Sequence, residues 1–532
     1  MIKAYRAADV RAAEAPLLAA GEPLMERASG ALTLATIREV SASGRPVYGC
    51  RAFVLACGGD NGGDALYAAA RLAARGMSVK AFVPGRAHEG GLAAALRAGV
   101  RLAELEEARR ADVWIDGLVG IGARGPLREP LASHVRALSG MRSGQRVVAV
   151  DVPSGIGTDD GTVPGPVLDC DLTVTMGAPK PGLYLEPARR HAGRVEVADI
   201  GLSLGEPALV SLQEEDARGM WPVPGPDSHK YTRGVLGVMA GSRRYPGAGF
   251  LCADAALAAG PGMVRYAGPR DLADRVAARH PECVLGEGRV DAWVIGPGVD
   301  MDDERAASEA ARRLQLAAAE SLPVVLDAGA IALAATAECD ERVVLTPHAG
   351  ELAALFSRLG IEGSREGIAA CPAAAAKLAS EATGATVALK GPVDVVASPG
   401  SPVYAQSGPA WRAVAGAGDV YAGLLGALLA AGLEPARAAA AAACVHGLAS
   451  ENGPMRASDI VRNVPAVVRA ALAGDGGSEE GSGFHAPGAS AWTFGAPGAS
   501  ASAFHMRRAR VSGGRRPMQK IDECARAARE ES

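Results

Sequence analysis

The sequence predicts an α/β protein with two folded units, each built on a mainly parallel β-sheet. From about residue 50 to 470, short apolar runs that end in glycine alternate with alanine-rich helical stretches, a pattern typical of parallel sheets. Proline crowds positions 222–226 and interrupts this alternation. A chain of 532 residues is also too long for one ordinary domain. We therefore predict two units joined by a linker.

The change in composition along the chain sets the predicted boundaries. We assign 1–212 to the first unit, 213–228 to the linker and 229–473 to the second unit. The remainder, 474–532, is rich in Gly, Ser, Ala and Arg, and contains APGASA twice. Such a segment cannot bury a core, so we predict a disordered, solvated tail and prefer that to a nucleic-acid or membrane arm.

Composition excludes several classes of protein. A net charge of -4 gives no electrostatic argument for nucleic acid or an anionic membrane. The chain has no strongly apolar run of about 18 residues, and its start lacks an apolar signal core. Nine cysteines without a C-x-x-C pair suit reduced thiols, and nine histidines without an H-x-x-x-H pair make zinc improbable. We expect a cytoplasmic protein that acts on small molecules.

The first unit carries a glycine-rich strand end. The apolar run 52–57 leads into GGDNGGD, where glycines allow close approach to a ligand and the following helix offers free N–H groups. The segment is neither a dinucleotide fingerprint nor a Walker loop. Asn61 and Asp64 either cap this helix or contact a ligand or cation.

Two further strand ends carry acidic residues. Asp116 ends one apolar run and precedes a glycine-punctuated loop with Arg124, and Asp151 ends the next run, followed by Ser154. The carboxyl ends of parallel strands meet at one edge of a sheet, so we expect these side chains to converge there. Together their oxygens form the ligand set of a hard cation such as K⁺, Na⁺ or Mg²⁺. Lys180 is predicted near the same edge.

The motifs N-G-G-D, D-G-L-x-G-x-G-x-R-G-P, D-V-P-S-G and T-V-T-M-G-x-P-K-x-G-L, in this order, resemble the epimerase domain of the NAD(P)H-hydrate repair enzymes. The resemblance implies a Rossmann-like three-layer domain with Asp151 as the acid/base. It implies K⁺ on Asn61, Asp116 and Ser154. The hydrated cofactor would be held by residues of the two glycine-rich segments: Asn61, Gly62, Gly63, Asp64, Gly120, Gly122, Arg124 and Gly125. Ala65 departs from the family, which usually has glycine there.

The second unit has its clearest feature at 410–432. Gly416 and Gly418 precede a long apolar helix with Asp419 in its first turn. N–H groups at such a helix start stabilise charge on a transferring phosphoryl group, and an aspartate there can take a proton from the attacking hydroxyl. The alternative is that Asp419 only caps the helix.

G-A-G-D resembles the signature of ribokinase-like kinases, and the segments G-P-G, T-P-H-A-G-E, K-G-P and V-H-G resemble the ADP- or ATP-dependent NAD(P)H-hydrate dehydratases of that superfamily. The resemblance implies a ribokinase-like α/β domain with Asp419 as base. Substrate would lie near Gly298 and His348, and nucleotide near Lys390, Gly416 and Gly418. As alternatives, His348 is an exposed loop residue and Lys390 an exposed strand-end amine. His446 is expected to be a satisfied helical side chain rather than a catalyst.

We therefore expect a bifunctional enzyme that epimerises R- and S-NAD(P)HX and dehydrates the S form to NAD(P)H by phosphorylation and phosphate elimination. Its expected cofactors are K⁺, Mg²⁺ and ADP or ATP, and we expect a homo-oligomer. One alternative is a vitamin or sugar kinase with a fused regulatory domain; another is that the first unit only binds ligand. D-A-G-A at 327–330, where D-A-D-A-L is common in the family, puts a role for that loop in question.

Overall fold

The computed structural model describes residues 1–122 and 124–473. The predicted tail at 474–532 lies outside the described residues. Strands and helices are numbered in chain order. None of the described helices is both long and apolar enough to cross a membrane.

The first unit is built on a sheet of seven parallel strands in the order β4-β3-β2-β5-β6-β7-β8. The strands are β2 (Arg51–Ala56), β3 (Ser78–Phe82), β4 (Arg101–Leu102), β5 (Val113–Gly117), β6 (Arg146–Val150), β7 (Leu172–Met176) and β8 (Arg194–Ala198). Helices cover both faces of the sheet. The strand order reverses between β2 and β5, as in doubly wound nucleotide-binding folds, and ligands bind at such a reversal. The predicted Rossmann-like three-layer fold is confirmed.

The second sheet has the order β1-β9-β18-β17-β16-β15-β14-β13-β10-β11-β12. Its strands are β1 (Ile2–Ala4), β9 (Leu209–Ser211), β10 (Val235–Met239), β11 (Met263–Tyr266), β12 (Val284–Leu285), β13 (Ala292–Ile295), β14 (Val324–Leu326), β15 (Val343–Leu345), β16 (Thr386–Leu389), β17 (Val393–Ala397) and β18 (Val403–Ser407). From β12 to β16 the paired strands are parallel, whereas β17 is antiparallel to both its neighbours. The α/β class predicted for this unit is also confirmed.

Helices account for most of the remaining described chain. They are α1 (Ala7–Ala19), α2 (Leu24–Ala42), α3 (Asp60–Ala74), α4 (Glu89–Arg97), α5 (Leu131–Met141), α6 (Arg189–Ala192), α7 (Glu214–Met220), α8 (Pro246–Ala259), α9 (Arg270–Arg279), α10 (Glu304–Ala319), α11 (Ala349–Leu359), α12 (Arg365–Ala370), α13 (Pro372–Thr383), α14 (Ala417–Ala430), α15 (Pro435–Leu448) and α16 (Ala457–Ala473). Short 3₁₀ segments span Leu105–Arg110, Pro181–Leu183, Ala328–Ala335 and Ala410–Arg412.

The second unit buries its sheet between two helical layers. Helices α8, α14, α15 and α16 pack on one face, and α10, α11 and α13 pack on the other. Residues 420–430 of α14 are buried, which explains why this helix is apolar all round.

The N-terminus crosses between the two units. Strand β1 pairs antiparallel with β9, and β9 pairs with β18 of the second sheet. Helix α1 then returns to the first unit, where the N–H of Ala7 donates to Oδ1 of Asp159 at 2.8 Å. Both ends of the segment predicted as the first unit thus contribute strands to the second sheet.

The predicted linker contains a helix that the proline pattern did not suggest. Helix α7 packs against α15 and α16, and Met220 and Trp221 are buried in the second unit's core. Two large apolar side chains at the helix end stabilise this turn despite the following prolines.

Candidate active sites

The first site lies where β2, β5 and β6 end side by side. Leu55 pairs with Asp116, which in turn pairs with Ala149, so the three strands finish at the same level of the sheet. The side chains of Asn61, Asp116 and Asp151 follow or close these strands. The structure therefore brings together the strand ends predicted to converge.

Asp116 and Ser154 form a buried pair at this edge. The hydroxyl of Ser154 donates to Oδ1 of Asp116 at 2.6 Å, and its backbone N–H donates to Oδ2 at 2.9 Å. Burial raises the pKa of Asp116, although these hydrogen bonds act in the opposite direction. Among the described residues Asp116 has no cationic partner, which leaves a buried carboxyl without a counter-charge.

Asn61 and Asp64 lie one turn apart on α3, and neither caps it. The N-cap is Gly59, and the helix start has no side-chain cap hydrogen bond. Nδ2 of Asn61 and Oδ1 of Asp64 are buried and have no hydrogen-bond partner among the described residues. The capping alternative is therefore wrong, and both groups remain available to a ligand.

Asp151 is held in place by Lys180. Its backbone has a φ of 67°, a left-handed conformation that places a non-glycine residue under strain. The ammonium of Lys180 is fully buried and donates to Oδ1 of Asp151, to the Thr175 hydroxyl at 3.0 Å and to the Met176 carbonyl at 2.8 Å. Lys180 therefore lies beside Asp151 at the edge where it was predicted, as a buried partner of that carboxylate.

Helix α1 covers this site and was not anticipated. Val10 packs with Ala178 and Ile121, which belong to the loops after β7 and β5. One turn later stands Glu14, and burial together with the charge on Asp151 raises its pKa. Nη2 of Arg11 lies 3.3 Å from the point where a Cβ on Gly122 would be. No motif marks α1, because its contribution depends on a contact distant in sequence.

The glycines of the first site mostly serve close packing. A Cβ on Gly62 would lie 1.8 Å from the Cys57 carbonyl oxygen, and one on Gly120 would lie 2.9 Å from Oδ1 of Asn61. Gly63 packs in the same way against His88 and Met25. Arg124 and Gly125 are exposed in the loop that follows. Their roles in binding stay predictions.

The second site lies at the ends of β13 to β16. Ile295, Leu326, Leu345 and Val387 are in register across these strands. The loops that follow therefore place four predicted or newly found residues at one edge of the sheet: Gly298, Asp327, His348 and Lys390. A Cβ on Gly298 would lie 2.5 Å from Cβ of Ala248, so this glycine lets the loop approach the first turn of α8.

Helix α14 begins beside Lys390. Gly416 is its N-cap with a φ of 89°, and no side chain caps the helix start. A Cβ on Gly418 would lie 3.2 Å from Nζ of Lys390. Burial and the charge on Asp327 raise the pKa of Asp419 to about 7, although Lys390 acts in the opposite direction. Asp419 is therefore not a cap, and it can change protonation near neutral pH.

Asp327 belongs to the second site, although the sequence put a role for its loop in question. It accepts hydrogen bonds from Nζ of Lys390 and from the Thr346 hydroxyl, both at 2.7 Å. Its position after an apolar strand is the same signal that identified Asp116 and Asp151. Residue 329 is glycine where the family commonly has a second aspartate, but the loop still contributes Asp327 to the site.

Arg412 supports the loop that carries Lys390. It forms a buried ion pair with Asp394 at 2.6 Å and donates to the carbonyl oxygens of Gly391 and Pro392 at 2.7 and 3.0 Å. This arrangement fixes the backbone next to Lys390. Sequence reasoning did not single out Arg412, because a lone arginine in a loop carries no pattern.

His348 and His446, the two histidines considered in the second unit, lie in different environments. His348 is exposed and caps α11: its Nδ1 accepts from the N–H groups of Gly350 and Glu351 at 3.0 and 3.2 Å. His446 is buried, and its Nε2 has no hydrogen-bond partner among the described residues. The expectation that His446 is satisfied is therefore wrong for Nε2. Burial lowers its pKa to about 3, so the imidazole is neutral.

Ala65 stands where the family usually has glycine, and its extra methyl group packs against β5. It is fully buried, and its Cβ lies 2.5 Å from the point where a Cβ on Gly117 would be. The extra methyl group fits because residue 117 is glycine. This departure therefore affects the contact between α3 and β5.

Comparison with known proteins gives matches over both units. Residues 236–464 match the family described as NAD(P)H-hydrate dehydratase, and residues 21–182 match the family described as YjeF-related protein N-terminus. The bifunctional NAD(P)H-hydrate repair enzyme of Mycobacterium tuberculosis strain H37Rv is 44% identical over 451 residues, covering 82% of this chain and 91% of that protein. The enzyme of the same name from Mycobacterium leprae is 43% identical, covering 84% of this chain and 93% of its own.

Among solved structures, the ADP/ATP-dependent NAD(P)H-hydrate dehydratase of Bacillus subtilis, co-crystallised with ATP/Mg²⁺, has a TM-score of 0.42 and 24% identity. The match covers 48% of this chain and 96% of that one. A hydroxyethylthiazole kinase from Pyrococcus horikoshii has a TM-score of 0.33 and 20% identity, covering 48% of this chain and 94% of its own.

Proposed function

The chain belongs to the family of bifunctional NAD(P)H-hydrate repair enzymes, and from that premise we propose how its residues divide the two reactions. The chain epimerises the R and S forms of NAD(P)HX and dehydrates the S form to NAD(P)H. The alternative of a vitamin or sugar kinase is set aside, because the similarity spans both units.

We assign epimerisation to the first site, with Asp151 as the acid/base. Carbon C6 of the hydrated ring carries both the hydroxyl group and the bond to ring nitrogen N1. Inverting C6 requires proton transfer at these atoms by a group within hydrogen-bond reach. Lys180 orients the Asp151 carboxylate, and the unpartnered groups of Asn61 and Asp64 are free to bind substrate.

A potassium ion fits the residues at this edge. Asp116, Ser154 and Asn61 supply carboxylate, hydroxyl and amide oxygens, and Asp116 is buried without a counter-charge among the described residues. When bound, the ion would offset negative charge at this edge. Asp116 and Ser154 would hold it and keep their two loops together.

We assign dehydration to the second site, with Asp419 as the base. Asp419 takes the proton of the C6 hydroxyl as that oxygen attacks the terminal phosphorus of ADP or ATP, and the bond to the leaving nucleotide breaks. Phosphate then departs with the C6–O electron pair, pushed by the N1 lone pair. Loss of a proton from C5 completes the reduced nicotinamide. The N–H groups at the start of α14 and the ammonium of Lys390 stabilise the phosphoryl charge.

Magnesium is expected to arrive with the nucleotide. The described residues contain no cluster of three or more His, Cys, Asp or Glu side chains that could hold a metal ion. Mg²⁺ in phosphoryl transfer is commonly bound by substrate phosphates and only one or two carboxylates. Asp327 can supply such a carboxylate. A homo-oligomer in the cytoplasm stays a prediction.

The observation that carries this assignment is the pairing of Lys390 with Asp327 beside Asp419 at the start of α14. The test supplies mixed NADHX epimers with ADP and follows recovery of the reduced-nicotinamide absorbance. We expect recovery from both epimers. Recovery of the S fraction alone would contradict the epimerase assignment, and no recovery from either epimer would contradict both assignments.

A further inference from the structure

The mechanism above uses the Asp64 carboxyl only to bind substrate. It is 8% exposed, and its buried Oδ1 has no hydrogen-bond partner among the described residues. One turn earlier, the buried Nδ2 of Asn61 also lacks a partner. Buried polar groups are normally paired, so two unpartnered groups on one helix face point to a ligand that completes them.

The surroundings of Asp64 are mostly acidic. Burial, followed by the charges on Asp151, Asp60 and Glu14, raises the pKa of Asp64 to about 8. Other ionisable groups around α3 include Asp116 on β5, Lys180 beside Asp151, Arg11 on α1, Glu26 on α2 with its partner Arg71, and His88 at the start of α4. Asp64 therefore carries a proton at neutral pH.

Lys180 cannot take the role of proton donor to a substrate. An ammonium has three N–H bonds, and Lys180 directs one each to Asp151, Thr175 and Met176. It is also fully buried. Asp64 instead combines a raised pKa with a buried oxygen that has no hydrogen-bond partner among the described residues.

We propose that Asp64 is the general acid of epimerisation and acts opposite Asp151. This role rests on the assignment of epimerase chemistry to the first site. Asp151 takes the proton of the C6 hydroxyl, and the electron pair left on oxygen forms the C6=O bond. The C6–N1 bond breaks with its pair going to N1, and Asp64 gives its proton to N1.

The ring-opened form then exposes the other face of C6. Rotation about the C5–C6 bond presents the opposite face of the aldehyde carbon C6 to N1. N1 attacks C6 and returns its proton to Asp64, while the oxygen recovers the proton held by Asp151. Both side chains end as they began, so the reaction consumes no oxidant, reductant or co-reactant.

The test uses the full chain with the near-isosteric variant Asp64→Asn. Interconversion of purified R-NADHX and S-NADHX is measured without nucleotide, so that the second site cannot dehydrate the S form. We expect kcat for interconversion to fall by about 10²-fold or more, while KM changes far less. Dehydration of S-NADHX with ADP by the same variant is the internal control for folding and stays unchanged.

The pH dependence separates catalysis from binding. In the wild-type chain, kcat/KM for interconversion falls as pH rises through about 8, because Asp64 loses its proton. That decline is absent in Asp64→Asn. A rise in KM alone, with the decline retained, would show that Asp64 only binds substrate and would overturn the proposal.

A second variant keeps the proposal testable if Asp64→Asn does not fold. Glu14→Gln removes one negative charge beside Asp64 and is expected to move the alkaline decline to lower pH. An unmoved decline would overturn the proposal. If the wild-type chain fails to interconvert the epimers, the assignment of the first site fails instead, and the role of Asp64 with it.

Discussion

Nζ of Lys390 donates to Oδ1 of Asp327 at 2.7 Å and lies 4.0 Å from Oε2 of Glu351. Burial disfavours the charge on Lys390, but the two acids outweigh it, and the pKa of Lys390 is raised. The same Asp327, together with burial, raises the pKa of Asp419. The loop after β14 therefore controls the charge of both the lysine and the base.

Replacing the base should separate the two activities. In Asp419→Asn, dehydration is expected to fall by about 10²- to 10⁴-fold, because the C6 hydroxyl loses its proton acceptor. Epimer interconversion stays unchanged, since it takes place in the other unit. Rates of both reactions are measured on the same preparation, with Asp274→Asn, an exposed position on α9, as control. Loss of both activities would contradict two independent sites.

Dehydration should weaken in acid. A base works only when deprotonated, and the pKa of Asp419 is about 7, so kcat/KM is expected to fall as pH drops through that value. Asp327→Asn removes a charge that raises this pKa, so the decline should move to lower pH. The pH profile of kcat/KM for S-NADHX at fixed ADP measures the shift. A profile that stays in place would show that Asp327 does not set the charge of Asp419.

The strand-end residues were predictable because one local pattern, an apolar run closed by a polar residue and glycine, fixes where they lie in a parallel sheet. Asp116 and Asp151 were found in this way, whereas Asp419 was found from the glycines that precede an apolar helix. The sequence pattern also predicted two units joined by a linker, and the boundaries at 212 and 228 stay predictions. Each of these inferences uses only neighbours along the chain.

The remaining features depend on contacts between distant segments. Glu14 joins the first site only because α1 packs on loops more than 100 residues away along the chain. The pairing of β1 with β9 could not be predicted, because a strand of three residues is too short to show an alternating pattern. His446 was expected to be satisfied, but hydrogen bonding of a buried ring depends on the packing around it. Such tertiary relationships cannot be read from periodicity or spacing.

Removing the ammonium that faces Asp151 should destabilise the first unit. Lys180→Met leaves a buried carboxyl without its partner, a change that typically costs about 3–5 kcal/mol of unfolding free energy. Urea unfolding followed on the wild-type and variant chains measures it. The control is Lys80→Met, which breaks the partly exposed pair with Glu107 and is expected to cause no measurable change. Equal effects of the two substitutions would contradict the structural role of Lys180.

The start of α14 offers a test of the proposed anion site with a matched control in the same helix. Gly416 precedes the helix and Gly432 follows it, and both have a φ of 89°. An L-residue in this region is strained by about 1–2 kcal/mol, so Gly416→Ala and Gly432→Ala should both lower the free energy of unfolding. A Cβ on Gly416 would also meet Leu251 at 2.4 Å, whereas one on Gly432 meets nothing within 4 Å.

Only one of these substitutions should affect chemistry. Alanine at 416 shifts the N–H groups that face the transferring phosphoryl group, and losing one such donor commonly lowers kcat by about 10²- to 10³-fold. Alanine at 432 alters the opposite end of the helix and should leave kcat for dehydration unchanged. Steady-state kinetics at a temperature where both variants remain folded separates activity from stability. Equal kcat values in the two variants would mean that the N–H groups at the start of α14 do not stabilise the phosphoryl charge.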